Sequence, residues 1–342
     1  MAKRRGIGGW VVLLVVMVVI GVVLVAGDGD IDRAVSRGRE FVSHVAAVIT
    51  GKEGDTHDKG AAIYEKKGDT GSSAVKAGPA SSAQAKAKPA VKAKPASSAQ
   101  ALDYSRLQPG WGVARYALPA GSDTLYTLVS REGRYVVNYD PHTRNSRWAA
   151  YVLTRAEVGV KGTVRATSFV TDSRLVHKGW ASSSSADYTG SGYDRGHLVP
   201  SADRDDNRTE NRATFIMTNV SPQKPGLNRH VWKSLEGKVR EWAAEHDSLY
   251  VVTAGVLVGS KGRPLKKIGS GVAVPELFYK AVATRDGDGF QAIGFVIPNI
   301  DDCNRDYRVY AVPVDSIETL TGLDIFHLLP SEPKYDKSFW FK

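Results

Sequence analysis

GYDRGHLVPSADR, residues 192–204, and TFIMTNVSPQKPGLNRHVWKSLEGKVREWAAEH, residues 214–246, together decide the fold. In the first, His197 stands among charged and turn-forming residues directly before an apolar Leu198-Val199-Pro200. In the second, Thr214 to Val220 is a short apolar run ending at a Ser-Pro turn, which predicts a strand. Val231, Leu235, Val239 and Trp242 then recur at helical spacing, which predicts a helix. The order is strand, long loop, strand, turn, helix. Asn228 falls at the helix start, where asparagine is ordinarily a cap. Glu236 lies about 80° around an ideal helix from Asn228 and roughly 12 Å farther along it, so the two cannot easily ligate one ion directly. Because helical side chains lean toward the amino end, Glu236 can still reach a water in the shell of an ion held by Asn228.

Outward from this segment the composition is globular from Asp103 to the end. RYVVNYDPHTRNSRWAAYVLTR, residues 134–155, alternates apolar and polar residues on both sides of a Pro141–Asn145 turn and reads as a β-hairpin. LYVVTAGVLV (249–258), LFYKAVATR (277–285) and FQAIGFVIPN (290–299) are further strands, the last two separated by DGDG. VDSIETLTGL (314–323) offers Asp315 as a cap and Gly322 as a stop for a short helix. Strands in runs with few helices between them predict an α+β domain over residues 102–342, with a largely antiparallel sheet flanked by helices.

The preceding residues are of another kind. Residues 72–101 are almost entirely Ala, Lys, Pro and Ser, with PASSAQA occurring twice. They hold no apolar residue larger than valine, so the stretch reads as a disordered tether. Residues 1–27 carry Lys3, Arg4 and Arg5 and then an uncharged segment from Gly6 to Gly27, with Asp28, Asp30 and Asp32 after it. The uncharged segment would span about 33 Å as a helix, enough to cross a bilayer, and the basic cluster places the amino terminus in the cytoplasm. A cleaved signal peptide with a site near Ala26 is the rival, but its apolar region usually runs to only about 7 to 15 residues, so one transmembrane helix acting as an uncleaved signal anchor is preferred. Residues 28–71 are then a juxtamembrane segment, and the folded domain lies outside the cytoplasm.

Of the 342 residues, Lys and Arg outnumber Asp and Glu by 46 to 36, giving a net charge of +10. More than half of that excess lies before residue 102, so bulk charge says little about the folded part; local placement must decide. The single cysteine, Cys303, excludes an internal disulfide and a Cys-based zinc site, and reads as a small buried apolar residue. Asp194, Asp203, Asp205 and Asp206 read as a surface loop rather than a carboxylate metal site; taken singly, Arg195 reads as the partner of Asp194, a bland account that the joint pattern of motifs outweighs.

An ion held by one neutral oxygen, several waters and a substrate phosphate is what magnesium tolerates. A histidine opposite it can take a proton from an attacking water, and the two together describe metal-assisted phosphodiester cleavage.

DYTGSGYDRGHLVPSADR (187–204) followed by TFIMTNVSPQKPGLNRHVWKSLE (214–236) closely resembles the DNA/RNA non-specific endonuclease family of the ββα-metal, or His-Me finger, superfamily. The likeness covers most of Tyr135 to Leu329, including Trp148 in the hairpin, the Asp187-Tyr188 pair and the late DDCNRDYRVYAVPVDSIETLTGLDIF. DRGH alone would be suggestive, whereas DRGH, then N-x-S-P-Q, then L-N, then L-E is very specific. The resemblance implies a ββα-metal finger embedded in the sheet. It makes His197 the general base, Asn228 the direct magnesium ligand and Glu236 the holder of metal-bound water. Arg195 and Asn219 match positions that support the site or touch substrate. Arg165, in VRATSFVTD, is the best match to an arginine that binds the scissile phosphate, while Phe169 and Asp172 beside it look structural. One Mg2+ ion is implied, with Mn2+ able to substitute, and DNA and RNA as substrates cut to leave 5′-phosphate ends. An anchored member fits a bacterial envelope, with the mitochondrial intermembrane space as the alternative, and a homodimer is left open.

Two other functions fit parts of the pattern. A membrane-tethered nucleic-acid receptor with weak or no catalysis would be signalled by loss of His197 or Asn228, and both are present. A phosphodiesterase for a smaller substrate would keep both residues and differ only in what it degrades.

Overall fold

The computed structural model describes residues 114–121 and 126–342; the anchor, the juxtamembrane segment, the tether and residues 102–113 lie outside these. Among the described residues no helix is long and apolar enough to cross a membrane.

The described residues form eleven strands: β1 Thr127–Val129, β2 Tyr135–Asp140, β3 Asn145–Thr154, β4 Asp194–His197, β5 Val220–Gln223, β6 Ser248–Gly255, β7 Lys267–Ile268, β8 Val272–Ala273, β9 Leu277–Asp286, β10 Gly289–Pro298 and β11 Ala311–Val312. Seven of them build one sheet in the order β1-β2-β3-β6-β9-β10-β11, antiparallel at every pairing. The predicted hairpins are present: β2 and β3 turn through Arg144 at φ 55°, and β9 and β10 turn through the DGDG segment. Beyond β11, the outer edge of β10 is also bonded by Lys334, which accepts from the Ala292 amide at 2.8 Å and donates to the Phe290 carbonyl at 2.8 Å.

The helices are α1 Ser173–His177, α2 Arg208–Ala213, α3 Lys233–His246, α4 Val314–Thr321 and α5 Lys337–Trp340. Successive strand residues point to opposite faces, and this places the two longer helices. Phe295 stacks on Trp242 of α3, with ring centres 6.2 Å apart, whereas a Cβ on the adjacent Gly294 would meet Ile317 of α4. The sheet is therefore covered on both faces. Leu235, Val239 and Trp242 are the buried side of α3, and Trp242 Nε1 donates to the Trp340 carbonyl at 2.9 Å, so the carboxy-terminal turn locks the helix in place. Gly322 ends α4 in the left-handed conformation, φ 71°, as its position predicts; the cap at the other end is Pro313, with Asp315 inside the first turn.

The strand–loop–strand–helix unit differs from its predicted form in two places. Thr214 to Asn219 is not a strand: Thr214 ends α2, Met217–Asn219 is a 3-10 turn, and the strand begins at Val220 and includes the supposed Ser-Pro turn. Leu198 N donates to Asn219 O at 2.9 Å, which sets the alternation of bonded pairs so that Pro222, opposite Arg195, falls where no ladder bond is required of it. The helix also begins earlier and more loosely than an ideal one, with a π-helical stretch over Leu227–Trp232 before α3.

Candidate active site

β4 and β5 pair antiparallel and, with the π turn and α3, make the predicted ββα finger. Its underside has a small core of its own, formed by Tyr188, Met217, Val220, Ile268, Val272 and Val274. Asn219 is fully buried: its Oδ1 accepts from Val199 N at 2.9 Å and its Nδ2 donates to Val199 O and Thr214 O, both at 2.9 Å. With its carboxamide engaged on both sides, it pins the strand carrying His197 and does not face the site. Gly196 has no room for a side chain, because a Cβ there would land inside that of Gln223.

His197 lies between two rings, Phe169 at 5.2 Å and Phe215 at 4.7 Å between centres. Its Nε2 is buried and has no hydrogen-bond partner among the described residues. Burial, helped by the nearby Arg165 guanidinium, pushes its pKa down to about 3, so the imidazole is neutral at physiological pH. A neutral imidazole with an unengaged nitrogen is a proton acceptor. Arg165 rests over the Phe215 ring and donates to Ser201 Oγ. Arg195 runs behind the histidine, over the other face-forming ring, Phe169, at 5.6 Å, and donates to Ser185 O at 3.1 Å. Phe169 thus joins two site residues and is more than scaffolding, while Asp172 is structural as predicted: it caps α1 and accepts from Arg174 and from Thr218 Oγ1.

Asn228 is not a helix cap. It lies within the π turn, its amide donating to Lys224 O at 2.9 Å, and its Nδ2 donates to Asp194 Oδ2 at 2.9 Å. Asp194 therefore joins the first strand of the finger to its helix; its cationic partner is Arg229, not Arg195, and this charge holds its carboxyl below the ordinary range alongside the Asn228 bond. The Asn228 Oδ1 accepts nothing among the described residues, and neither carboxylate oxygen of half-buried Glu236 accepts a hydrogen bond there. The wider winding of the π turn also removes the 3.6-residue phase from which the 80° separation of Asn228 and Glu236 follows.

Beneath Glu236 is a charged group that the sequence patterns do not single out. Burial raises the Glu236 pKa to about 7 against the opposing pull of Lys280 and, more weakly, of Arg240 and Arg165, with Asp203 adding to the rise. Asp203, only 1% exposed, accepts from Tyr151 Oη at 2.8 Å and Arg240 at 2.9 Å, so the surface-loop expectation fails for it. Lys280 is fully buried under the Trp232 ring at 4.9 Å. The signals were present: Arg240 stands one helical turn after Glu236, and Lys280 is a lone cation in the apolar run LFYKAVA. Cys303 is half-buried, its thiol donating to Pro298 O and Ile300 O.

The two oxygen donors left open, one neutral amide and one carboxylate, are a set that a magnesium ion retaining most of its water accepts. Among the described residues no group of three or more His, Cys, Asp or Glu side chains could hold a metal.

Residues 121–332 match the model of the DNA/RNA non-specific endonuclease family. The chain is 37% identical over 208 residues to a nuclease of Nostoc sp., covering 58% of this chain and 72% of that protein. It is 34% identical over 221 residues to human mitochondrial endonuclease G, covering 62% of this chain and 72% of that protein. Among solved structures, the complex of EndoG with EndoGI, described as showing the mechanism of EndoG inhibition, aligns with a TM-score of 0.55 at 29% identity, over 63% of this chain and 90% of that one. With the finger, the neutral histidine and this match across most of the folded part, the chain belongs to the DNA/RNA non-specific endonuclease family and is a nuclease, a phosphodiester hydrolase.

Proposed function

We propose that the protein cuts DNA and RNA endonucleolytically, with little sequence preference, by hydrolysis that leaves 5′-phosphate ends. The observation that carries this reading is the neutral His197, its Nε2 unengaged, beside the Arg165 guanidinium. His197 takes the proton from the attacking water. Arg165 holds the scissile phosphate and offsets its charge. Asn228, turned by its bond to Asp194, would hold a metal ion through Oδ1, and Glu236 would hold a water of that ion. A bound Mg2+, for which Mn2+ is a chemical substitute, supplies Lewis-acid stabilisation of charge on the phosphate and on the departing 3′ oxygen. Arg195 and Asn219 position the histidine strand. A site that grips phosphate reads neither the base nor the 2′-hydroxyl, which fits low sequence preference and action on both polymers.

Nicking of supercoiled plasmid in magnesium, abolished by chelator and reduced by a factor of 10² to 10⁴ in His197→Ala, tests the general base; those factors are the usual range for such catalysis, roughly. A variant that nicks at the wild-type rate rejects it. Parallel degradation of RNA separates a polynucleotide enzyme from an esterase of small substrates. Ligation of the products without prior phosphorylation tests the 5′-phosphate.

For location, the proposal is a membrane-anchored enzyme whose nuclease domain lies outside the cytoplasm, in a bacterial envelope. It is supported by the basic start, the uncharged Gly6–Gly27 segment and the acids after it. Degradation of the domain by protease added to intact, outer-membrane-permeabilised cells is the expected result; protection until the inner membrane is lysed rejects it.

A further inference from the structure

A groove of about 1400 Å3 opens beside the finger, bordered by the loop of residues 161–168, by α2 and by the turn after β1. Its lining includes Arg131, Lys161, Arg165, Arg208 and Arg212 and no Asp or Glu. Arg131, Lys161, Arg208 and Arg212 are exposed, and none makes an ion pair or side-chain hydrogen bond among the described residues. The acids next to them in the chain accept hydrogen bonds from other groups. Glu132 accepts from Asn207 at 2.7 Å, Asp205 from Asn211 at 2.8 Å, Glu210 from the Glu132 amide at 2.6 Å, and Asp206 from Arg134 at 2.8 Å. Each of these carboxylates is thus engaged by a backbone or side-chain amide or by Arg134, and among the described residues none forms an ion pair with the four exposed cations of the groove. Arg165 belongs both to this lining and to the surroundings of His197, so the groove runs into the catalytic centre. Arg208 and Arg212 stand one turn apart on α2, a separation of roughly 6 Å along its axis, comparable with the step between neighbouring phosphates of one strand. Val164, 90% exposed, and Val170, 50% exposed, add apolar surface of the kind that rests against sugars.

We infer that this groove is an extended subsite for the polynucleotide backbone, in which Arg131, Lys161, Arg208 and Arg212 bind phosphates remote from the one that is cut. The inference rests on the nuclease reading of the finger and adds the path along which substrate lies. A concave, cation-lined channel suits a strand and not a flat anionic membrane.

The test uses the full-length chain carrying Arg208→Ala and Arg212→Ala together, with Arg131→Ala and Lys161→Ala as a second pair. Binding of a labelled 30-base-pair duplex is measured in chelator across a salt series, and hydrolysis of bis(p-nitrophenyl) phosphate in magnesium. Each pair should lower the slope of log K against log salt by about 2, since each phosphate contact contributes about 0.9. It should weaken duplex binding severalfold at low salt and leave turnover of the small diester and the melting temperature at wild-type values. Unchanged slope and affinity in a folded variant overturn the subsite, and so does loss of binding to phosphatidylglycerol vesicles without loss of binding to duplex. Failure of the wild-type chain to hydrolyse either diester or plasmid overturns the catalytic reading instead, and leaves the binding slopes to decide the groove separately.

Discussion

Sealing an imidazole between Phe169 and Phe215 removes water from it and so favours the uncharged form, which is the form able to accept a proton. The same burial makes stability depend on pH. Unfolded, the histidine titrates near its ordinary value of about 6.5; folded, at about 3. Between those two values the unfolded chain binds a proton that the folded one refuses, so stability is full above about pH 6.5 and falls as the pH drops toward 3. His197→Asn should flatten the fall in urea midpoint between pH 6.5 and 4 relative to wild type; parallel curves would show that the ring is not held neutral by the fold. For Asn228 the expected balance is the reverse, a large effect on rate and a small one on stability. Asn228→Ala removes one partly exposed hydrogen bond, about 1 kcal/mol, but also the amide oxygen proposed to hold the ion. Turnover should drop by at least about a hundredfold, because the charge stabilisation lost is worth several kcal/mol and each 1.4 kcal/mol is tenfold. Plasmid nicking and thermal melting of the same preparation check both halves.

At the scale of the element, the finger depends on how closely its two strands approach. Gly196→Ala places a methyl group inside the Gln223 side chain, and overpacking of this kind costs about 1–3 kcal/mol. Because the displaced pair carries His197 at its end, nicking activity should fall more than stability; a variant as active and as stable as wild type would show that the strands have slack. The hairpins, the helix at residues 231–242 and the finger itself were legible in the sequence, because each rests on local periodicity and turn chemistry. The start of β5 was not. The run Thr214–Val220 is apolar because Phe215 packs against Phe169 and His197 while Met217 and Val220 fill the small core of the finger, and a short apolar run buried in a turn looks the same as one buried in a strand. The π turn was hidden for a related reason: nothing in Leu227–Trp232 forbids ordinary helix, and what accompanies the wider winding is tertiary, the bonds from Asn228 and Arg229 to Asp194. His197, Asn228 and Glu236 stand out in the sequence because they sit in adjacent motifs, whereas Lys280, Asp203 and Arg240 come together only through packing of α3 on the sheet.

Over the whole molecule, the helix that carries Glu236 is held from behind by the last residues of the chain. Trp340 is 1% exposed and meets Trp242 edge-on at 4.8 Å. Removing residues 337–342 takes away this contact and the bond to Trp242 Nε1, a loss comparable with a buried Trp→Ala change, about 3–5 kcal/mol. The truncated protein should melt at a markedly lower temperature yet nick plasmid normally when assayed well below that point; an unshifted melting curve would mean that the tail is dispensable. The β10 side of the sheet is guarded too. β10 has its free backbone groups occupied by β11 at Gly294 and Phe295 and by Lys334 farther along. A growing fibril or a neighbouring copy that docks by extending the ladder finds no vacant amides on that stretch. Should two copies associate on that side of the molecule, they must do so through side chains, and the contact will be sensitive to surface substitutions that strand addition would ignore.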